Sequence, residues 1–213
     1  FSKLSAINQD LPPNVLFTSE DKADSYDPID MAIGEGFILI ITKDGKLIVR
    51  GDNFRGQLGI SGKVIQVFEP TEVNLPAPVL EASCGHNFSV IRTADDRVFG
   101  SGAHNKGQFG ALALEPKSGH TKRYDSITSF YELITGCDTC IGVRAGKTFT
   151  LFADADMRRI YGAGKNHSYQ LGLAIYEDEL VSIPTLVFDL GLASPSKSEK
   201  LLQIKAGHLH TLY

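Results

Sequence analysis

Gly34-Glu35-Gly36-Phe37-Ile38-Leu39-Ile40-Ile41 runs into Thr42-Lys43-Asp44-Gly45, continues as Lys46-Leu47-Ile48-Val49-Arg50-Gly51, and closes on Asp52-Asn53-Phe54-Arg55-Gly56-Gln57-Leu58-Gly59. Phe37 to Ile41 is aromatic and β-branched and has the length of a strand. Asp44-Gly45 provides the positive φ that a tight hairpin turn needs. Lys46 to Arg50 returns as a second strand, and the Gly-Gln-Leu-Gly segment follows as a glycine-punctuated turn.

The same arrangement recurs. A second unit runs from Gly85-His86-Asn87-Phe88 through Asp95-Asp96 and Val98 to Gly102, and ends on Gly107-Gln108-Phe109-Gly110. A third runs from Gly146-Lys147-Thr148-Phe149 through Asp154-Ala155-Asp156 and Ile160 to Gly164, and ends on Tyr169-Gln170-Leu171-Gly172. A fourth opens at Ala206-Gly207-His208-Leu209-His210-Thr211-Leu212. The leading glycines at 34, 85, 146 and 207 are spaced by 51, 61 and 61 residues. A repeat of this length built from short strands predicts all-β propeller blades. Further strands are expected near Pro70–Leu75, Val79–Cys84, Pro184–Phe188 and Leu201–Ala206, with Pro70 and Pro184 at strand starts or edges. No stretch has helical period for more than a turn or two.

These units resemble the regulator of chromosome condensation repeat. Asp44-Gly45, Gly51-Asp52-Asn53, Gly56-Gln57-Leu58-Gly59 and Ala206-Gly207-His208-Leu209-His210-Thr211-Leu212 carry the likeness, which extends over about residues 31–213. It implies a seven-bladed β-propeller whose blades are four-stranded antiparallel sheets. The chain then holds about half of the ring, completed by the remainder of a longer chain or by another chain. Arg50, Ser101 and Ala163 stand at the family's tryptophan position. Phe37, Phe88 and Phe149 replace its histidine, which survives as His210. At the family's asparagine position Asn53 and Asn166 are kept, and His104 replaces the third.

Composition narrows the function. Of 213 residues, 42% are hydrophobic and 22% charged, an ordinary globular balance that excludes a disordered or fibrous chain. Residues 1–33 hold six acids and two bases, which accounts for the whole net charge of -4. The rest is neutral and offers no basic stripe for duplex nucleic acid. No apolar run is long enough to span a membrane. Three cysteines make an odd count, unlike a secreted disulfide framework, and favour the cytoplasm or nucleus. The first residue is Phe1, and the expectation is a segment of a longer protein. Residues 1–33 read as an acidic leader or linker, or as the donor of a strand near Asn14–Thr18. Residues 34–213 read as the partial propeller.

Several motifs have ordinary explanations. Gly142-Val143-Arg144-Ala145-Gly146-Lys147-Thr148 is one residue short of a phosphate loop and leads into a strand, not a helix. Cys137-Asp138-Thr139-Cys140 has metal or redox spacing. A structural zinc needs four ligands, which Cys84 and His86 would have to complete. The alternative is a pair of loop cysteines. His86, His104, His167 and His208 sit at or beside turn positions. His208 and His210 are expected to alternate on one strand and face opposite sides. Asp95-Asp96 is a turn pair. Neither it nor Ser101 or Ser168 forms a catalytic constellation. No catalytic, cofactor-binding or metal-binding residue is assigned, and the chain reads as a non-enzymatic binding module that needs no cofactor.

The segment Leu112–Ile141 is the least repeat-like part and combines bases with aromatics. It is read either as a long solvated connection or as a protein-binding loop, the latter with Lys122, Arg123, Tyr124, Phe130 and Tyr131 as partner contacts. Leu190–Lys200 reads as a solvated connection. The expected function is a protein-interaction propeller, and the resemblance implies a guanine-nucleotide exchange regulator of a small GTPase. The alternative is a structural subunit of a large assembly without exchange activity; a zinc enzyme is a distant third.

Overall fold

The structure is a computed structural model, and it describes residues 26–61, 63–110, 125–174, 180–193 and 199–213. Three four-stranded antiparallel sheets follow one another along the chain. The first is β1 (Pro28–Ile33), β2 (Phe37–Thr42), β3 (Leu47–Asp52) and β4 (Gln66–Val73). The second is β5 (Val79–Cys84), β6 (Phe88–Thr93), β7 (Val98–Ala103) and β8 (Ser126–Glu132). The third is β9 (Cys140–Ala145), β10 (Phe149–Asp154), β11 (Arg159–Lys165) and β12 (Leu180–Asp189). A four-residue helix α1 (Leu190–Ala193) leads towards a two-stranded hairpin, β13 (Lys205–Ala206) and β14 (Thr211–Leu212). Each sheet is a plain meander, and the first strands β1, β5, β9 and β13 approach one another. This is a partial β-propeller, with the first strands innermost.

The structural blade starts one strand before the sequence unit. Gly34, Gly85, Gly146 and Gly207 each follow an innermost strand and open the turn to the next. The first blade therefore begins at Pro28, inside the stretch read as leader, and the strand anticipated near Asn14–Thr18 lies outside the described residues. The turn itself is a repeated device. The ring of Phe37 fills the space where a side chain on Gly34 would begin, about 2.0 Å from that point. Phe88 does the same over Gly85, Phe149 over Gly146, and His210 over Gly207. In each case the glycine N–H donates to the ring residue's carbonyl, at 2.8–2.9 Å. His208 and His210 thus belong to a turn, not to one strand as the alternating pattern suggested. The two-residue β13 covers only the end of the strand anticipated over Leu201–Ala206.

The outermost strands β4, β8 and β12 share one irregularity, and β12 has a second slip between Ile160 and Tyr161. The register slips between Val49 and Gly51, between Gly100 and Gly102, and between Gly162 and Gly164. Pro70 and Pro184 lie in these bulges on edge strands, where a missing N–H breaks no ladder bond. Arg50, Ser101 and Ala163, at the family's tryptophan position, face the three bulges.

The cores form between blades. Leu39, Val49 and Leu58 of the first blade pack with Ile91 and Phe99 of the second. Phe88, Val98 and Phe109 of the second pack with Val143 and Phe152 of the third. Phe149, Leu151 and Leu171 of the third pack with Ile204, just ahead of β13. Burial of each large apolar side chain stabilises by roughly 1.5–3 kcal/mol, so blade neighbours hold one another in place.

Candidate interaction face

The Gly-Gln-x-Gly segment is built from its own side chains outward. Asn53 Oδ1 accepts from the Leu58 N–H at 2.9 Å, and Gln57 Oε1 accepts from the Arg55 N–H at 2.9 Å. Asn166 and Gln170 repeat both bonds with Leu171 and Ser168, each at 2.9 Å. In the second blade Gln108 Oε1 accepts from Lys106 N–H at 2.8 Å, while His104 Nδ1 reaches the Phe109 N–H only at 3.4 Å. The finished loop docks on the next blade. Gly56 and Gly59 pack against Thr128 and Phe130 of β8, and Gly107 and Gly110 against Ser182 and Pro184 of β12. Ser89 Oγ donates to the Gln57 carbonyl at 2.5 Å, Ser101 Oγ to Gly56 at 2.6 Å, and Thr211 Oγ1 to Gln170 at 2.7 Å.

A meander of four strands sorts its connections by end. The turns after the innermost strands and the Gly-Gln-x-Gly connections share one end, here the upper face. The Asp-containing hairpin turns and the blade crossings share the other, the lower face. Two backbone bonds mark the division: Asp52 N–H donates to Gly36 O at 2.9 Å above, and Val79 N–H to Gly45 O at 2.8 Å below.

Charge differs between the faces. On the lower face Lys46 pairs with Asp44 at 3.6 Å and Glu72 at 3.4 Å, and Arg97 pairs with Asp95 at 2.6 Å and Glu132 at 3.4 Å. Lys43–Asp27 and Arg159–Asp154 add two more pairs. The Arg97 guanidinium and the Thr93 hydroxyl hold the Asp95 carboxyl below its ordinary 3.8. Thr42, ahead of Lys46, does the same for Asp44. The upper face has one ion pair among the described residues, His86 with Glu35. Arg55, Lys106, Lys147 and Lys165 make no ion pair there among the described residues. Exposed Phe54 and Tyr169 stand beside them.

The innermost strands carry a third arrangement. Glu81 of β5 pairs with Arg144 of β9 and lies 3.6 Å from Arg92. Its Oε2 also accepts from the Val143 N–H at 3.0 Å, and Ser83 Oγ accepts from the Ala145 N–H at 2.9 Å. Arg144 Nε donates to the Ile204 carbonyl at 3.1 Å. Side chains thus bridge innermost strands that share no ladder. They border an open cleft of about 370 Å³ reaching from Asp30 to Lys205.

The residues expected to contact a partner separate. Lys122, Arg123 and Tyr124 lie outside the described residues. Phe130 and Tyr131 stand on the strand β8, not in a loop. Phe130 packs into the core between the first two blades, and Tyr131 into the next. The extra length of the second blade sits between β7 and β8, over residues 104–125, against 53–65 and 166–179 in its neighbours. This connection leaves from the upper face. Leu190–Lys200, read as a connection, contains α1, and residues 194–198 lie outside the described residues.

Cys137 and Cys140 lie at the lower face, while Cys84 closes β5 at the upper end beside Ser89. That separation removes Cys84 and His86 as co-ligands of the pair. Among the described residues no three His, Cys, Asp or Glu side chains gather as a metal site. None of the described helices is long and apolar enough to cross a membrane. The bridging of innermost strands and the division of charge escaped the sequence reading. One signal was there: the residue after each leading glycine is Glu35, His86, Lys147 or His208, all ionisable.

Residues 44–91 match the model of the regulator of chromosome condensation (RCC1) repeat. The chain is 30% identical over 150 residues to the X-linked retinitis pigmentosa GTPase regulator of Mus musculus, covering 68% of this chain and 14% of that protein. It is 27% identical over 164 residues to the secretion-regulating guanine nucleotide exchange factor of Bos taurus, covering 76% of this chain and 32% of that protein. The solved structure of Prp20p from Saccharomyces cerevisiae, described with its binding to Gsp1p and histones, superposes with a TM-score of 0.70. The match has 20% identity and covers 87% of this chain and 43% of Prp20p. The chain spans less than half the length of each of these relatives. Blade architecture, repeated turn and family match agree: over part of its length the chain is a divergent member of the regulator of chromosome condensation repeat family.

Proposed function

We propose that the chain is the protein-interaction part of a guanine-nucleotide exchange regulator of a small GTPase in the cytoplasm or nucleus. The carrying observation is that two of the relatives above bear the names of a GTPase regulator and an exchange factor. The upper face supports the reading. Among its described residues, Arg55 and the exposed Tyr169 are of the residue types that interfaces use as anchors. Exchange by a binding module needs no covalent step. A segment inserts at the nucleotide site and stabilises the empty GTPase over the loaded one, which is differential binding between two states. The 104–125 connection is the segment we assign to this, with Lys122, Arg123 and Tyr124 as contacts. Phe130 and Tyr131 anchor its return into β8. The rest of the ring comes from the same longer chain or from another chain.

The test is release of a fluorescent guanine nucleotide from a panel of small GTPases in the presence of the native protein. Acceleration on one member, lost when 112–124 is replaced by a Gly/Ser linker, is the expected result. No acceleration on any member, with the protein folded, removes the exchange reading.

A further inference from the structure

Cys137-Asp138-Thr139-Cys140 is the one motif the interaction face does not use. It forms the crossing from the second blade to the third. Gly136, at φ 79°, turns the chain out of the second blade, and a side chain there would lie 2.8 Å from the ring of Tyr161. Cys140 is the first residue of β9 and is 3% exposed, while Cys137 is half-buried. Both pack into the core shared by the second and third blades. The two cysteines stand three positions apart on this turn, within that one core. The Cys140 thiol also donates to the Gly142 carbonyl at 3.4 Å, and Thr135 Oγ1 accepts from the Cys137 N–H at 3.3 Å. The turn therefore places two thiols in one core on a backbone fixed at both ends.

We infer that Cys137 and Cys140 are a redox modification site, which a low-molecular-weight disulfide such as oxidised glutathione converts into an intramolecular disulfide tying the blade crossing to β9. Half-buried Cys137, the more accessible thiol, attacks one sulfur of the small disulfide and releases one thiol. Cys140 then attacks the Cys137 sulfur, closes the protein disulfide and releases the second thiol. Two protein thiols are oxidised and one disulfide is reduced to two thiols, so electrons and protons balance. The influence of each thiol on the other pushes Cys137 up and Cys140 down from the ordinary thiol value. Cys84 is a poor competitor, because it ends β5 at the upper face, away from the pair at the lower face.

The test incubates the folded native chain in glutathione buffers of rising oxidised fraction, followed by acid quenching, alkylation and peptide mass mapping. The expected product has lost two hydrogens, carries the bond between 137 and 140, and regains both thiols with dithiothreitol. Cys137→Ser and Cys140→Ser each abolish it, and Cys84→Ser leaves it unchanged. The oxidised form should also melt at a higher temperature than the reduced form. A stable mixed disulfide on Cys137, a bond involving Cys84, or no bond in a large excess of oxidised glutathione would each overturn the inference. Circular dichroism of every variant separates these outcomes from misfolding.

Discussion

Tyr169 occupies the place that Gly56 and Gly107 hold in the other blades, and all three have positive φ, at 55°, 83° and 69°. A residue with a Cβ is strained there by about 1–2 kcal/mol. The side chain is 57% exposed, so packing does not repay that strain. Tyr169→Gly should raise the unfolding free energy by about 0.5–1 kcal/mol, after allowing for the freer unfolded chain. It should also weaken partner capture by the upper face. Denaturant melts and a binding titration on one preparation check both, and a variant that gains stability with full binding removes Tyr169 from the interface. A second comparison concerns hydroxyls. Ser89 donates to the Gln57 carbonyl, while the equivalent Thr150 hydroxyl is buried with no hydrogen-bond partner among the described residues. Ser89→Ala should cost about 1–2 kcal/mol, and Thr150→Val should be neutral or stabilising. The glycine–aromatic turn was legible at this scale, because four glycines each stand three residues before Phe37, Phe88, Phe149 or His210. The role of Ser89 was not, because its acceptor lies 32 positions away.

At the scale of elements, the Asp-containing hairpins respond to acid. Asp95 has a folded pKa below its ordinary 3.8, set first by Arg97 and then by Thr93. Its stabilising contribution is complete above that ordinary value and is lost as pH falls through the lower folded value. Carboxyl NMR should show Asp95 titrating below 3.8, and Arg97→Ala should move it back towards that value. The bridge between innermost strands behaves differently. Glu81 is mostly buried, so Arg144→Ala should destabilise by about 2–3 kcal/mol. A double-mutant cycle with Glu81→Gln should recover much of that loss as coupling. The strands β2, β3 and β5 were legible from their apolar patterns. β8 was hidden because residues 104–125 displace it from the position the repeat predicts, and Ser126, Thr128 and Ser129 dilute its apolar signal. The innermost strands were partly obscured for a related reason: they line an open cleft and carry Asp30, Glu81, Arg144 and Lys205.

At the scale of the molecule, the two faces divide the work. Below, charges are consumed in pairs that stiffen hairpins and crossings; above, bases are left without acidic partners among the described residues. A charge left unpaired at a rim steers association more than it holds a complex together. The propeller itself was legible in the sequence from glycine spacing and the Gly-Gln-x-Gly segments. The polarity of its faces was not, because it depends on which turn lies at which end of the meander. The most direct measurement is the association of the native protein with a nucleotide-free small GTPase, compared with the nucleotide-loaded form. The account predicts preference for the empty form, with Arg55→Glu and Lys106→Glu together slowing association about tenfold and the lower-face change Lys43→Glu leaving it unchanged. Equal binding of empty and loaded forms, or equal sensitivity of the two faces, would contradict it.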